Sequence, residues 1–429
     1  MAATLSIPTP SRLEVVVPQT RKREFVRREH VLIAAGLALV CKLLIAWNTI
    51  GTNDVAFFFH LGESLTKRGL EASYASDIAF NHPPLIALFT RTIYIWNFLP
   101  WFRENGIEFP FLLRLPGILA DFVVIIALLG VAKELRLPMW SLLVLALSPV
   151  SLMISGYHGN TDSIMVMFLV LAAIMALRDR PMLCGVFLAL SCQIKIIPAL
   201  LLPIFFFYWL HRRRGSHFSL PFAATMAICW LEPLLNFPAL FLHRVLLYVS
   251  FWGLWGITYW LRLTGLHEFA PVTYHHLLPG QQVVVTILKV ALVAAVVLLA
   301  WRRRKLDARG LFISLGLAWV IFFVFSPGVC TQYMVWLMPF VLVLSPFCFA
   351  CLTATSSLFV FFFYNSISGG LPWYYGVSTG RLNIEWTPWT IWPWATLIVG
   401  GLLLWRRGLR NDPTLRLLAL SSVEYESEL

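Results

Sequence analysis

The 429-residue chain is 59% hydrophobic and 13% charged, where soluble chains carry about 25% charged residues. This excludes an ordinary soluble protein, because one core of this length cannot bury so much apolar surface. The formal charge of +12 does not mark a nucleic-acid-binding domain either. The basic residues sit in short runs at the ends of apolar blocks (Arg21-Lys22-Arg23, Arg27-Arg28, His211 to Arg214, Arg302 to Lys305, Arg406-Arg407), which is the positive-inside pattern of a polytopic membrane protein.

Residues 1–30 are polar and basic and read as a cytoplasmic tail. The apolar run that begins at Val31 has no small-residue cleavage site, so it reads as a retained first span. The blocks 31–50, 111–132, 138–155, 163–177, 181–194, 197–210, 218–235, 281–301, 310–326, 332–346, 349–365 and 388–405 read as spans of a hydrocarbon layer roughly 30 Å thick. The clearest is Val283 to Ala300, with Lys289 as its single charge. The expected fold is therefore all-α and integral to the membrane, with about twelve transmembrane helices between residues 31 and 405. Residues 406–429 form a second cytoplasmic tail. The cysteines lie mostly inside apolar blocks, where a thiol acts as a small hydrophobe, and they indicate neither disulfides nor a metal site.

Two apolar stretches, 84–101 and 246–261, are decided by charge. If neither crosses, the clusters at Lys133–Arg136, Arg178–Arg180, His211–Arg214, Arg302–Lys305 and Arg406–Arg410 all fall on the side of the N-terminal tail. If both cross, three of those clusters flip outward against the charge rule. The first stretch also carries Arg91 and is bounded by Pro83-Pro84 and Pro100. The second is dense in Trp, Tyr and Gly, and the aromatics of Trp252 to Trp260 read as interface anchors before sugar-stacking groups. Both stretches read as outer-face interfacial helices, and several spans are interrupted by proline, as where helices line a cavity.

On this topology the uncommon polar residues gather on the outer side: Asn53-Asp54, His60, Glu63, Asn81-His82, His158, Asn160, Asp162, Lys195, His275-His276 and Gln332-Tyr333. Ionisable groups at a membrane default to a functional reading. Each also has a structural one. Asp54 also reads as a solvated loop acid, Asp162 as a helix cap, and Lys195 as a residue snorkelling to the headgroups. Arg114 and Asp121, seven residues apart, share a helix face and pair with each other in the structural reading.

These residues resemble the GT-C superfamily of polytopic glycosyltransferases that use lipid-phosphate sugars. Asn53-Asp54 opens a long outer loop, residues 51–110, after the first span, where these enzymes keep a catalytic acid. The loop runs through Gly69 and Tyr74 to Asn81-His82-Pro83-Pro84-Leu85, similar to the superfamily's aromatic-Pro-Pro-Leu element. The run from Ile154 to Ile164 with its Gly-Asn-Thr-Asp core, followed by Ile194-Lys195-Ile196-Ile197-Pro198, resembles paired segments of the GPI-anchor first mannosyltransferase. The run from Val329 to Trp336 is similar to that enzyme's Val-Cys-Thr-Ser-Gln-Tyr segment. The chain differs in having one acid at Asn53-Asp54 and a histidine, His158, near the place of an arginine.

The resemblance implies an inverting, mannosyltransferase-like enzyme. It would move a sugar from a polyprenyl- or dolichyl-phosphate donor to a lipid-linked glycan, lipid or protein acceptor. Asp54 is the expected general base. Lys195 is the first candidate to stabilise the leaving phosphate, with Arg114 and His82 behind it. Asn81, His158, Asn160, Asp162, Gln332 and Tyr333 complete the expected substrate-binding set. No cofactor, obligatory metal or nucleic acid is expected; a divalent ion held by Asp54 and Asp162 is the open alternative. The short chain favours a bacterial plasma membrane with a periplasmic site, or the ER membrane in a eukaryote. The rival class is a transporter or lipid flippase. It is disfavoured by the absence of an internal repeat and by the gathering of polar groups on one face.

Overall fold

The computed structural model describes residues 26–77, 79–247, 251–274, 276–377 and 384–411, with side chains to residue 404. The Arg21-Lys22-Arg23 run, His275 and the acidic C-terminal stretch lie outside the described residues. The described chain is almost entirely helical, with one short parallel pairing of Gly51–Thr52 and Tyr375–Gly376. Seven helices are long and apolar enough to cross a membrane, and five shorter apolar ones accompany them. Every block predicted as a span falls on a helix. The chain is an integral membrane protein.

Its apolar side chains are arranged as lipid, not water, requires. Helices Gly215–Asn236 and Pro279–Arg303 bury only 11% and 22% of their apolar windows, and leave Leu220, Ile228, Leu235 and Ile287 exposed. In water such faces mark association sites; in a bilayer they meet acyl chains. The centre is held by Asp162–Leu177, which packs on Phe109–Gly130, Pro181–Ile194 and Met334–Leu344. Small residues bring the backbones close, as is common between membrane helices. A Cβ on Gly185 would lie 2.3 Å from the Phe218 carbonyl, and one on Gly316 2.8 Å from that of Phe340. Cys348 and Cys351 lie within helix Pro346–Ile367, and both thiols are free.

The basic loops meet at one end of the bundle. Arg178 pairs with Glu134 at 3.1 Å and Arg214 with Asp179 at 2.6 Å. Arg212 donates to the Leu306 carbonyl at 2.8 Å, and Arg309 to that of Leu135 at 3.1 Å. Helices Asp162–Leu177 and Pro181–Ile194 run from this end to the opposite one, where Asp162 and Lys195 lie. These two helices have 16 and 14 residues, about 24 and 21 Å at 1.5 Å per residue. Both are shorter than the roughly 30 Å hydrocarbon layer. Their polar ends border a recess, which Lys195 lines.

The stretch predicted not to span forms helix Pro84–Trp96, 13 residues long. His82 precedes it at the recess, and the Asn97 side chain after it accepts from Phe109 N at 2.6 Å. Phe109 begins the helix that descends to the basic end, so both ends of Pro84–Trp96 stay at the recess end. It lies against helix Asn53–Ser76, which bends at Gly69 (φ 82°).

The aromatics of the second stretch depart from the interface-anchor reading. Trp252 and Trp255 are fully buried and Tyr259 nearly so, leaving Trp260 as the exposed member. Their indoles donate to the Phe269 and Phe323 carbonyls at 2.9 and 2.6 Å. A buried indole N–H needs such a partner, and these tryptophans found theirs inside the bundle.

Candidate active site

The recess is a cavity of about 390 Å3, within the roughly 300–1,000 Å3 range of small-molecule sites. Five separate segments bring their polar side chains to its wall: Asp54; Asn81 and His82; His158 and Asn160; Lys195; and Gln332 and Tyr333. All eight were expected from the sequence. Phe57, Phe58, Phe251, Tyr274 and Trp386 give it aromatic walls, which no motif signalled because aromatic residues occur throughout the chain.

Asp54 stands in the first turn of helix Asn53–Ser76. Two glycines let its loop approach the π-helical turn Leu152–His158 and the residue that follows it. Gly51 (φ +102°) lies where a Cβ would be 2.6 Å from the Tyr157 carbonyl. Gly159 (φ +86°) lies where one would be 2.3 Å from Val55 Cγ2. Both φ values are ones that glycine adopts freely. The Thr52 hydroxyl then donates to the His158 carbonyl at 2.8 Å. The outcome is that Asp54 Oδ2 accepts from Asn160 Nδ2 at 2.6 Å and lies 3.1 Å from His158 Nε2. The Asp54 side chain keeps 29% of its surface open to the cavity. Burial pushes its carboxyl up, but the His158 ring, Lys195 and the Asn160 amide together outweigh burial and hold it below the ordinary value. It is therefore ionised at neutral pH.

Lys195 ends helix Pro181–Ile194 and does not snorkel. Its ammonium contacts both carboxylate oxygens of Asp162, at 2.9 and 3.0 Å, and lies over the Tyr333 and Trp336 rings at 5.0 and 5.6 Å. Trp336 Nε1 also donates to Asp162, at 2.5 Å. Asp162 is thus not a helix cap. It sits beneath the cavity wall and fixes the lysine.

Arg114 does not reach the cavity. Its guanidinium donates to the Thr49 hydroxyl and the Ala46 carbonyl at 2.8 Å, to the Gly156 and Tyr157 carbonyls at 3.2 Å, and to the Thr49 carbonyl. These are the open carbonyls at the end of the first helix and in the π-helical turn, groups that need donors from outside the helix. Arg114 does not pair with Asp121 either. Asp121 accepts from Lys42 at 2.8 Å and from Ser151 at 2.7 Å, and also from Ser155.

His82 lines the cavity with both ring nitrogens buried and, among the described residues, without a hydrogen-bond partner. Burial, with Lys195 adding to it and Asp54 opposing, lowers its pKa to about 3. The ring is neutral, and so is not a cation for a phosphate. Among the described residues, no three acids, histidines or cysteines converge as a metal site.

The cavity joins an ionised, hydrogen-bonded carboxylate to a fixed ammonium across a wall of aromatic rings, a set suited to moving a proton while stabilising an anion. No curated protein matches the sequence significantly. The family model of Glycosyltransferase family 87 matches residues 80–327, a stretch that includes His82, His158, Asn160, Asp162 and Lys195. That match covers more than half of the chain, and it leaves the transporter reading without support: the chain belongs to Glycosyltransferase family 87.

Proposed function

We propose that the chain transfers a sugar, with inversion, from a polyprenyl-phosphate donor to a hydroxyl of a lipid-linked glycan, lipid or protein acceptor. The supporting observation is the Asp54 carboxylate, anchored through Oδ2 to Asn160 and His158 and open to the cavity that Lys195 also lines. The acceptor oxygen attacks the anomeric carbon while the bond from that carbon to the phosphate oxygen breaks. The acceptor proton passes to Asp54, and the electron pair of the broken bond leaves with the polyprenyl phosphate. Lys195 offsets the charge that grows there, as fixed cations do at developing anions. No obligatory metal enters this scheme, since Lys195 supplies a fixed cation. The resemblance to the GPI-anchor first mannosyltransferase favours mannose, and the site would face away from the cytoplasm.

The test compares transfer from polyprenyl-phosphate mannose, polyprenyl-phosphate glucose and the corresponding sugar nucleotides by purified protein, in wild type, Asp54→Asn and Asp77→Asn. Transfer from a lipid-phosphate donor should fall by about 100- to 10,000-fold in Asp54→Asn, the usual worth of a general base. Asp77 accepts from Ala79 N at 2.9 Å, a bond that asparagine keeps, so its variant should match wild type. Transfer from sugar nucleotides alone would overturn the donor assignment. Full activity in Asp54→Asn would overturn the base.

A further inference from the structure

His82 is held in place without using its ring nitrogens. Its carbonyl accepts from the Tyr74 hydroxyl at 2.6 Å. The Phe58 ring meets its imidazole edge-on at 5.5 Å, and Phe80 lies parallel to it at 6.5 Å. The Pro83-Pro84 pair that follows narrows the backbone choices of the residue before it. Yet Nδ1 and Nε2 are both buried, and neither has a partner among the described residues. Buried polar atoms are almost always hydrogen-bonded, and an exception calls for a cause. Here the ring lines the cavity shared by Asp54 and Lys195, so a substrate group is the partner the position provides for.

We propose that His82 is a specificity residue that reads a substrate hydroxyl in this cavity through a ring nitrogen. The inference rests on the glycosyltransfer reading above and deepens it. A neutral imidazole carries one donor and one acceptor. A phosphate offers acceptors only and can meet just the N–H, whereas a hydroxyl can meet either nitrogen. Lys195 is the better match to a phosphate, His82 to a sugar. The hydroxyl belongs either to the transferred sugar or to the acceptor, and the two sources are separable by experiment.

The experiment is a cycle of protein variants against deoxy substrates. Wild type, His82→Phe and His82→Gln are assayed for kcat/KM with the lipid-phosphate sugar that wild type uses. The assay is repeated with donors deoxygenated at each ring position in turn, and with acceptors deoxygenated likewise. A site built to bond a hydroxyl strongly rejects the analogue that lacks it. Wild type should therefore disfavour one deoxy substrate by at least about tenfold. His82→Phe keeps an aromatic ring but no nitrogen, and should lose that preference at that one position. His82→Gln retains a donor and an acceptor and should keep much of it. A position on the donor assigns His82 to the transferred sugar, and one on the acceptor assigns it to the incoming hydroxyl. If His82→Phe does not fold, His82→Leu takes its place in the cycle. Penalties for every deoxy substrate that are equal in wild type and in the variants would overturn the proposal while leaving the glycosyltransfer reading intact. A wild-type protein that transfers from no lipid-phosphate sugar would overturn both.

Discussion

Asn160 Nδ2 donates to Asp54 Oδ2 at 2.6 Å across 106 residues of sequence, and His158 Nε2 meets the same oxygen at 3.1 Å. One oxygen of the proposed base is thus held while the side chain stays partly open to the cavity. The arrangement also sets its acidity. Burial opposes ionisation, and His158, Lys195 and Asn160 together overcome it.

The pH profile follows from that balance. Asp54 must be ionised to accept a proton, and its folded pKa lies below 3.8. Activity should therefore show no acid limb from this group between neutral pH and about pH 5. The same pairing adds stability above the unfolded-chain pKa, and that stability is lost as the pH falls through the folded value. In His158→Gln the strongest of the interactions that oppose burial is gone, so the acid limb of kcat/KM should move upward. A limb that stays in place in this variant would show that His158 does not control the base.

Lys195 and Asp162 should behave as a unit. Their side chains are only 11% and 1% exposed, so Lys195→Met leaves a buried carboxylate without its cation. Breaking such a pair from one side costs about 3–5 kcal/mol. Adding Asp162→Asn removes the stranded charge, and thermal unfolding should return most of the way to wild type. Transfer should not return, because the phosphate still lacks its ammonium, a loss of roughly 100- to 1000-fold. Transfer that recovers along with stability would assign Lys195 a purely structural role.

Gly159 sets how closely the turn of the proposed base approaches the His158 segment. An alanine there is forced into φ +86° with its Cβ 2.3 Å from Val55 Cγ2. Backbone strain of this kind costs about 1–3 kcal/mol, and the clash pushes the Asp54 turn away from His158. Gly159→Ala should lose both stability and transfer. Adding Val55→Ala relieves the clash but not the strain, so transfer should recover in part. No recovery would mean that the backbone conformation alone sets the geometry.

Arg114 should matter to folding and not to substrate affinity. Its donors satisfy carbonyls of Ala46, Thr49, Gly156 and Tyr157. A buried group left unpaired costs about 1–3 kcal/mol. Arg114→Met should lower the folded yield, while the protein that does fold keeps its KM for the lipid-phosphate donor. A raised KM at unchanged stability would restore the phosphate-binding role suggested by the sequence.

The helices were legible because a membrane helix announces itself by apolar length, and the basic loops because positive charge sorts to one side. Asp54, Lys195 and His82 were legible as members of one site, since polar residues at the same ends of alternating spans must converge. Their roles were less so. Arg114 and Lys195 are both cations near the recess, and only packing shows that one is turned to backbone carbonyls and the other to Asp162. The neutrality of His82 depends on how deeply its ring is buried, which hydropathy does not report. Trp252 and Trp255 look like interface aromatics until their N–H partners, the Phe269 and Phe323 carbonyls, are known.

The parallel pairing of Gly51–Thr52 with Tyr375–Gly376 has a consequence for the order of assembly. Ile50 N and Gly51 N both donate to the Tyr374 carbonyl, at 2.9 and 3.2 Å, so the turn that leads into Asp54 is braced by a segment near the other end of the chain. Closing a contact between such distant segments is slow, because the loop entropy is lost before the contact rewards it. Chains are also made from the N-terminus onward. The turn before Asp54 is therefore made long before this pairing can form, and a nascent chain halted before Tyr374 carries the proposed base on a turn held by Arg114 and His158 but not yet by the strand pairing.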